Sequence, residues 1–133
     1  MNMKRNIGIW LDHSEATLID LEIAKNNCTV KSKFTFDVKE EALSRSESIM
    51  HNKEQQMHES YYKEIADKIL NYDHILLFGP TNAKNELYNF LMEDLHFEEI
   101  EIDVEATDKM FENERKAFVI NFYKNKFKKK GME

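Results

Sequence analysis

The sequence is short of the residues that interrupt or staple a chain: one cysteine, one proline and three glycines in 133 residues. A lone Cys28 cannot close an internal disulfide and offers no paired-thiol spacing for a zinc knuckle. That excludes a disulfide-framed secreted scaffold and favours a reducing compartment. With so little Gly and Pro there is no linker-like or low-complexity stretch and no internal repeat, so residues 1–133 read as a single domain with a basic tail at 124–133. Long apolar runs are missing as well. The run at 7–11, after Lys4 and Arg5, is too short for a signal-peptide core or a membrane span, so the expectation is a cytoplasmic protein with no membrane partner.

What is present is a 41% hydrophobic, 33% charged chain of mean hydropathy −0.67. That length and composition can close one core without a structural metal. Net charge is −6, unevenly spread: 124–133 hold five Lys and one Glu, the rest of the chain 14 basic and 24 acidic residues. The body therefore repels a polyanion. Only Lys124, Lys126, Lys128, Lys129 and Lys130 are placed to release counterions from phosphate, unless they simply complement a helix dipole.

Periodicity assigns the elements. Residues 6–12 read as a central strand, Ile7, Ile9 and Leu11 on one face and Gly8 and Trp10 on the other. Residues 16–23 alternate as a second strand, and 28–39 as a third, with Cys28, Val30, Phe34, Phe36 and Val38 opposite Thr29, Lys31, Lys33, Thr35, Asp37 and Lys39. After an irregular polar stretch at 40–52, Met57, Tyr61, Ile65 and Ile69 recur at helical spacing. Residues 73–78 form a short apolar strand ending in Gly79-Pro80. Thr81 then caps a helix reaching residue 95, with Leu87, Phe90, Leu91 and Leu95 inward. Residues 97–104 alternate again, and a last helix starts near Thr107-Asp108 and carries Phe111, Phe118 and Phe122. Met50, Met57, Met92 and Met110 read as core filler. The order βββαβαβα gives an α/β fold: a five-stranded mixed sheet of order 3-2-1-4-5 with strands 1, 4 and 5 parallel.

This order resembles the ribonuclease H-like and translational-machinery folds. The segments Lys33-Phe34-Thr35-Phe36-Asp37-Val38, Ile75-Leu76-Leu77-Phe78-Gly79-Pro80 and Ala83-Lys84-Asn85-Glu86-Leu87 are more specific. With the loop and helix between them they resemble the central domain of eukaryotic and archaeal class-1 peptide-chain release factors and Pelota, and small bacterial proteins related to that domain. The resemblance implies a translation-related module whose partner is the ribosome or tRNA. In release factors the loop after the third strand carries Gly-Gly-Gln. Here the corresponding residues 40–56 hold no glycine pair, so the backbone lacks cheap access to φ > 0, and Glu40 and Glu41 oppose RNA. Gln55-Gln56 is no substitute, and peptide release is excluded. The same loop position still offers a recognition surface in Arg45, His51, Asn52, Lys53, Gln55 and Gln56. Asn82 and Lys84, at the start of a helix that follows a strand, and Lys128, Lys129 and Lys130 of the tail complete the expected binding set.

Catalysis is weighed against this reading. Asp12 ends the first strand where ribonuclease H-like nucleases hold a metal, yet the fourth strand ends without the acid such a site needs, and a turn aspartate explains it. A metal-dependent hydrolase at Asp12 therefore stands as the alternative. The hairpin at 7–19 is faintly like the phosphate loop of actin-like ATPases, which need a second lobe. His51, Glu54 and His58 would share a helix face at metal-ligand spacing but lack a fourth ligand. Residues 79–84 lack the P-loop pattern. The sequence thus predicts no catalytic residues, no cofactor and no metal. A third reading is a homo-oligomeric scaffold. Lysines on the third strand discourage edge pairing, whereas Phe111, Tyr123 and Phe127 extend beyond one core stripe of the last helix and point to a homodimer through it.

Overall fold

The structure, a computed structural model, describes residues 5–23, 25, 27–32 and 47–131; of 47–55 and 127–131 it describes the backbone. In chain order the elements are β1 (Asn6–Leu11), β2 (Glu15–Ile19), β3 (Cys28–Lys31), α1 (Glu47–Lys68), β4 (His74–Gly79) and α2 (Ala83–Met92). A 3-10 turn (Leu95–Phe97), β5 (Glu101–Ala106) and α3 (Glu112–Gly131) follow. The fold is α/β, with a five-stranded mixed sheet of order β3-β2-β1-β4-β5. β1 and β2 pair antiparallel, as do β2 and β3, while β1 runs parallel to β4 and β4 to β5.

The central strands are covered on both faces, which is why they read as apolar runs rather than strict alternations. Every residue of β4 is buried. Ile7, Ile9, Leu11, Ile75 and Leu77 face a core closed by Tyr61, Tyr62, Ile65, Ala66 and Ile69 of α1 and Ala83, Leu87 and Leu91 of α2. On the other face Trp10, Ile19, Leu76 and Phe78 pack against Val119 and Tyr123 of α3. Each fully buried large aliphatic side chain adds about 1.5–3 kcal/mol, so these two cores fix α1 and α2 on one side and α3 on the other. Gly8 lets α3 sit close: a Cβ there would lie 2.4 Å from Val119 Cγ2. The guanidinium of Arg115 lies 3.5 Å over the Trp10 ring, joining the start of α3 to β1.

Several boundaries differ from the periodicity reading. β2 stops at Ile19 because Asp20 Oδ1 accepts the N–H groups of Glu22 and Ile23 at 2.9 and 3.0 Å, turning the chain; Leu21 is left exposed. α1 begins at Glu47, so the backbone of 47–56 is helical rather than an irregular loop. The N-cap of α2 is Asn82, without a side-chain cap bond, although Thr81 Oγ1 accepts the Ala83 N–H at 3.2 Å. α2 ends at Met92, where Asp94 Oδ1 takes the His96 N–H at 2.9 Å. The turn that follows buries Phe97 and leaves Leu95 83% exposed and Met92 also at the surface. β5 begins only at Glu101 and runs to Ala106. α3 starts at Glu112, with Phe111 O accepting the Glu114 and Arg115 N–H groups. Tyr123, assigned outside the core stripe, is buried, so it does not serve an outward face of α3. The third strand beyond Ser32, Arg45, and the side chains of His51, Asn52, Lys53, Glu54, Gln55, Phe127, Lys128, Lys129 and Lys130 lie outside the described residues.

Candidate functional site

Open α/β sheets present ligand sites at the carboxyl ends of their parallel strands, where the strand order switches. Here that position is the end of β1 and β4. Asp12 Oδ1 accepts the Ser14 and Glu15 N–H groups at 2.7 and 2.8 Å, the turn-forming role, and the Tyr61 hydroxyl donates to Asp12 O at 3.0 Å. Beside it His13 Nε2 lies 3.1 Å from Glu86 Oε2, the Tyr62 hydroxyl donates to Glu86 Oε1 at 2.7 Å, and the His58 ring stacks on His13 at 5.5 Å. Burial raises Glu86, but the hydrogen bonds from Tyr62 and His13 outweigh it and hold the carboxyl below its ordinary pKa. Burial first, and then Glu86, pushes the Tyr62 phenol far up; burial and the Asp12 charge do the same to Tyr61. These phenols are donors at neutral pH. The arrangement is a network of paired polar groups from the turn after β1, from α1 and from α2.

Gly79, at φ +153°, turns β4 into this corner; a Cβ on it would lie 2.2 Å from Leu11 O. Of the expected binding residues here, Asn82 is exposed and its side-chain oxygen accepts from Asn85 at 2.8 Å. Lys84 is buried, its ammonium donating to Thr81 O at 2.5 Å, and does not reach outward. Gln56 is exposed on α1. Tyr61 of α1 reaches Asp12 just past β1, and Tyr72, after α1, reaches Asp20 at the end of β2, so α1 runs antiparallel to β1. The eleven residues of α1 before His58 span about 16 Å at 1.5 Å per residue. His51, Asn52, Lys53 and Gln55 are on this first part of the helix.

Two features at the opposite end of the sheet escaped the periodicity reading. Arg5, Lys25 and Lys68 line, with Cys28, Asn71 and Tyr72, an open pocket of about 470 Å³ that has no carboxylate among the described residues of its wall. Arg5 lies 4.6 Å over the Tyr72 ring. On the α3 side, His74 opens β4 as a buried residue in an otherwise apolar run. Its Nε2 is 2.8 Å from Asp103 Oδ2, its Nδ1 is 2.8 Å from the Tyr123 hydroxyl, and that hydroxyl donates to Ile7 O at 3.0 Å. Glu101 is the β5 partner of His74, and Lys126 Nζ lies 3.2 Å from Glu101 Oε1 and 3.9 Å from Asp103 Oδ2. Burial pulls His74 below its ordinary pKa against the opposing pull of Asp103, and pushes Tyr123 up. The readable signals were a histidine inside His74-Ile75-Leu76-Leu77-Phe78 and two acids at alternate positions of β5. Among the described residues, the group of three potential metal ligands is His74, Glu101 and Asp103, and it does not include Asp12.

No protein-family model matches the chain, and no curated protein matches it in sequence. Among solved structures the fold is similar to that of Pelota from Archaeoglobus fulgidus, with a TM-score of 0.52 and 16% identity over 84% of this chain. The chain spans 29% of that Pelota's length. At this identity the similarity is one of fold. No helix among the described residues is long and apolar enough to cross a membrane.

Proposed function

We propose that the protein is a non-catalytic, translation-related binding module that docks on the ribosome or tRNA. The observation that carries this reading is the fold shared with a stretch of Pelota over 84% of the chain. It is supported by the first part of α1, which begins at Glu47 and leads to Tyr61 beside the carboxyl end of β1, in the region of the chain where release factors carry their functional loop. The wall of the Arg5, Lys25 and Lys68 pocket, free of carboxylates among the described residues, adds a place for a phosphate on an otherwise acidic body. The lysines of 124–133 add charge at the end of α3. With no Gly-Gly pair in 40–56, the reading is docking without ester hydrolysis.

Co-sedimentation with ribosomes at low and moderate salt tests it. The wild-type chain is expected in the ribosomal pellet, and a variant with His51, Asn52, Lys53, Gln55 and Gln56 all changed to Ala is expected in the supernatant. The competing hydrolase gives a different result: no association at any salt, and Mg²⁺-dependent RNA cleavage abolished by Asp12→Asn.

A further inference from the structure

We propose that His74, Glu101 and Asp103 form a binding site for one divalent transition-metal ion of the zinc class, with its remaining coordination positions open to water. Three different groups, one imidazole and two carboxylates, bring ligand atoms within 4.8 Å of one another from adjacent parallel strands. Two acids alone would be an ordinary surface pair; the imidazole makes the difference. His74 is 2% exposed and its ring is fixed from behind. The Tyr123 hydroxyl, which donates to Ile7 O, lies 2.8 Å from His74 Nδ1, as the outer nitrogen of a metal-bound histidine is held by a second partner. Nε2 is thereby aimed at the Asp103 carboxylate, 2.8 Å from Oδ2, with Glu101 beside it. An ion held there would replace the proton that Nε2 and Oδ2 share.

Zinc bonds of about 2.0–2.1 Å to nitrogen and 2.0–2.2 Å to oxygen, at tetrahedral angles, set the two atoms about 3.3 Å apart. Asp103 and Glu101 are 42% and 58% exposed at the side chain, so a small carboxylate rotation opens that space. The Lys126 ammonium now rests against both carboxylates. It is the built-in competitor that an arriving ion displaces.

The test uses the full chain, freed of metal with chelator, titrated with Zn²⁺ by calorimetry and with Co²⁺ by visible absorption. Expected are one ion per chain, cobalt d–d bands, and at least a tenfold loss of affinity in each of Glu101→Gln and Asp103→Asn. Both variants alter half-exposed side chains and should stay folded, as circular dichroism would verify. Lys126→Gln removes the competitor and is expected to tighten binding several-fold. No binding to the wild-type chain overturns the proposal. So does binding that Glu101→Gln, Asp103→Asn and Lys126→Gln all leave unchanged, which would move the ion elsewhere, for instance to His51, Glu54 and His58 on α1.

Discussion

Gly8 illustrates how much one missing side chain decides. Its place in β1 is the point of closest approach by α3, and Gly8→Ala puts a methyl within 2.4 Å of Val119 Cγ2. Overpacking of this kind costs about 1–3 kcal/mol, so the variant should unfold at a lower urea midpoint with little change in slope. Pairing it with Val119→Ala should recover part of the loss. Tyr62→Phe removes one buried donor from Glu86 and should cost about 1 kcal/mol in the same measurement. His74 sets a pH response. Burial favours its neutral form, so the folded protein binds its proton less readily than the unfolded chain does. Its contribution is then complete above the ordinary histidine pKa of 6.5 and is lost as pH falls from there through the lowered value in the fold. Around the ring, Asp103 and Glu101 of β5 pull toward the charged form and Lys126 of α3 away from it. In chelator, the His74 ring proton followed by NMR should titrate below 6.5, and the unfolding free energy should decline over that range. A midpoint above 6.5 would mean that Asp103 outweighs burial.

Among the elements, the turn out of β4 is the least forgiving. Gly79 combines positive φ with a backbone oxygen of Leu11 where its Cβ would be, so Gly79→Ala is strained and crowded at once and should cost about 1–3 kcal/mol or more by chemical denaturation. The sheet order and the covering helices were readable in the sequence because their signals are periodic: Ile7, Ile9 and Leu11 at a spacing of two, Tyr61, Ile65 and Ile69 at a spacing of four. Element ends were not, because they are decided by single side chains outside any period. Asp20 folds β2 off early and Asp94 stops α2 before Leu95. The sites were less legible still. His13, His58, Tyr62 and Glu86 come from three elements, and His74, Glu101 and Tyr123 from three others, with no spacing in common. Sequence reading could place Asp12 correctly in a turn because that role is local, within three residues. It could not foresee that Lys84 is buried and turns back on Thr81.

At the scale of the whole molecule, charge is partitioned: an acidic body with lysines concentrated in the last ten residues. Binding to unspecific RNA is therefore expected to be weak and to depend steeply on salt. If Lys128, Lys129 and Lys130 make three phosphate contacts, affinity falls about 20–40-fold between 50 and 200 mM salt. Changing these three lysines to Gln should remove most of that slope in a filter-binding assay. An unchanged slope would move the phosphate contacts to Arg5, Lys25 and Lys68.

The parallel pairing of β1 with β4 also governs when the protein can fold as it is made. The meander β1–β2–β3 is local and can form early, but the other edge of β1 stays unpaired until β4 arrives, more than 60 residues later. At a synthesis rate of about 5–20 residues per second that interval lasts on the order of 3–12 s. Through it β1 presents an unpaired edge, and Trp10 waits longer still for α3 to cover its face, which makes the half-made chain a substrate for holdase chaperones. The finished chain, with every residue of β4 buried, offers them nothing comparable on those strands.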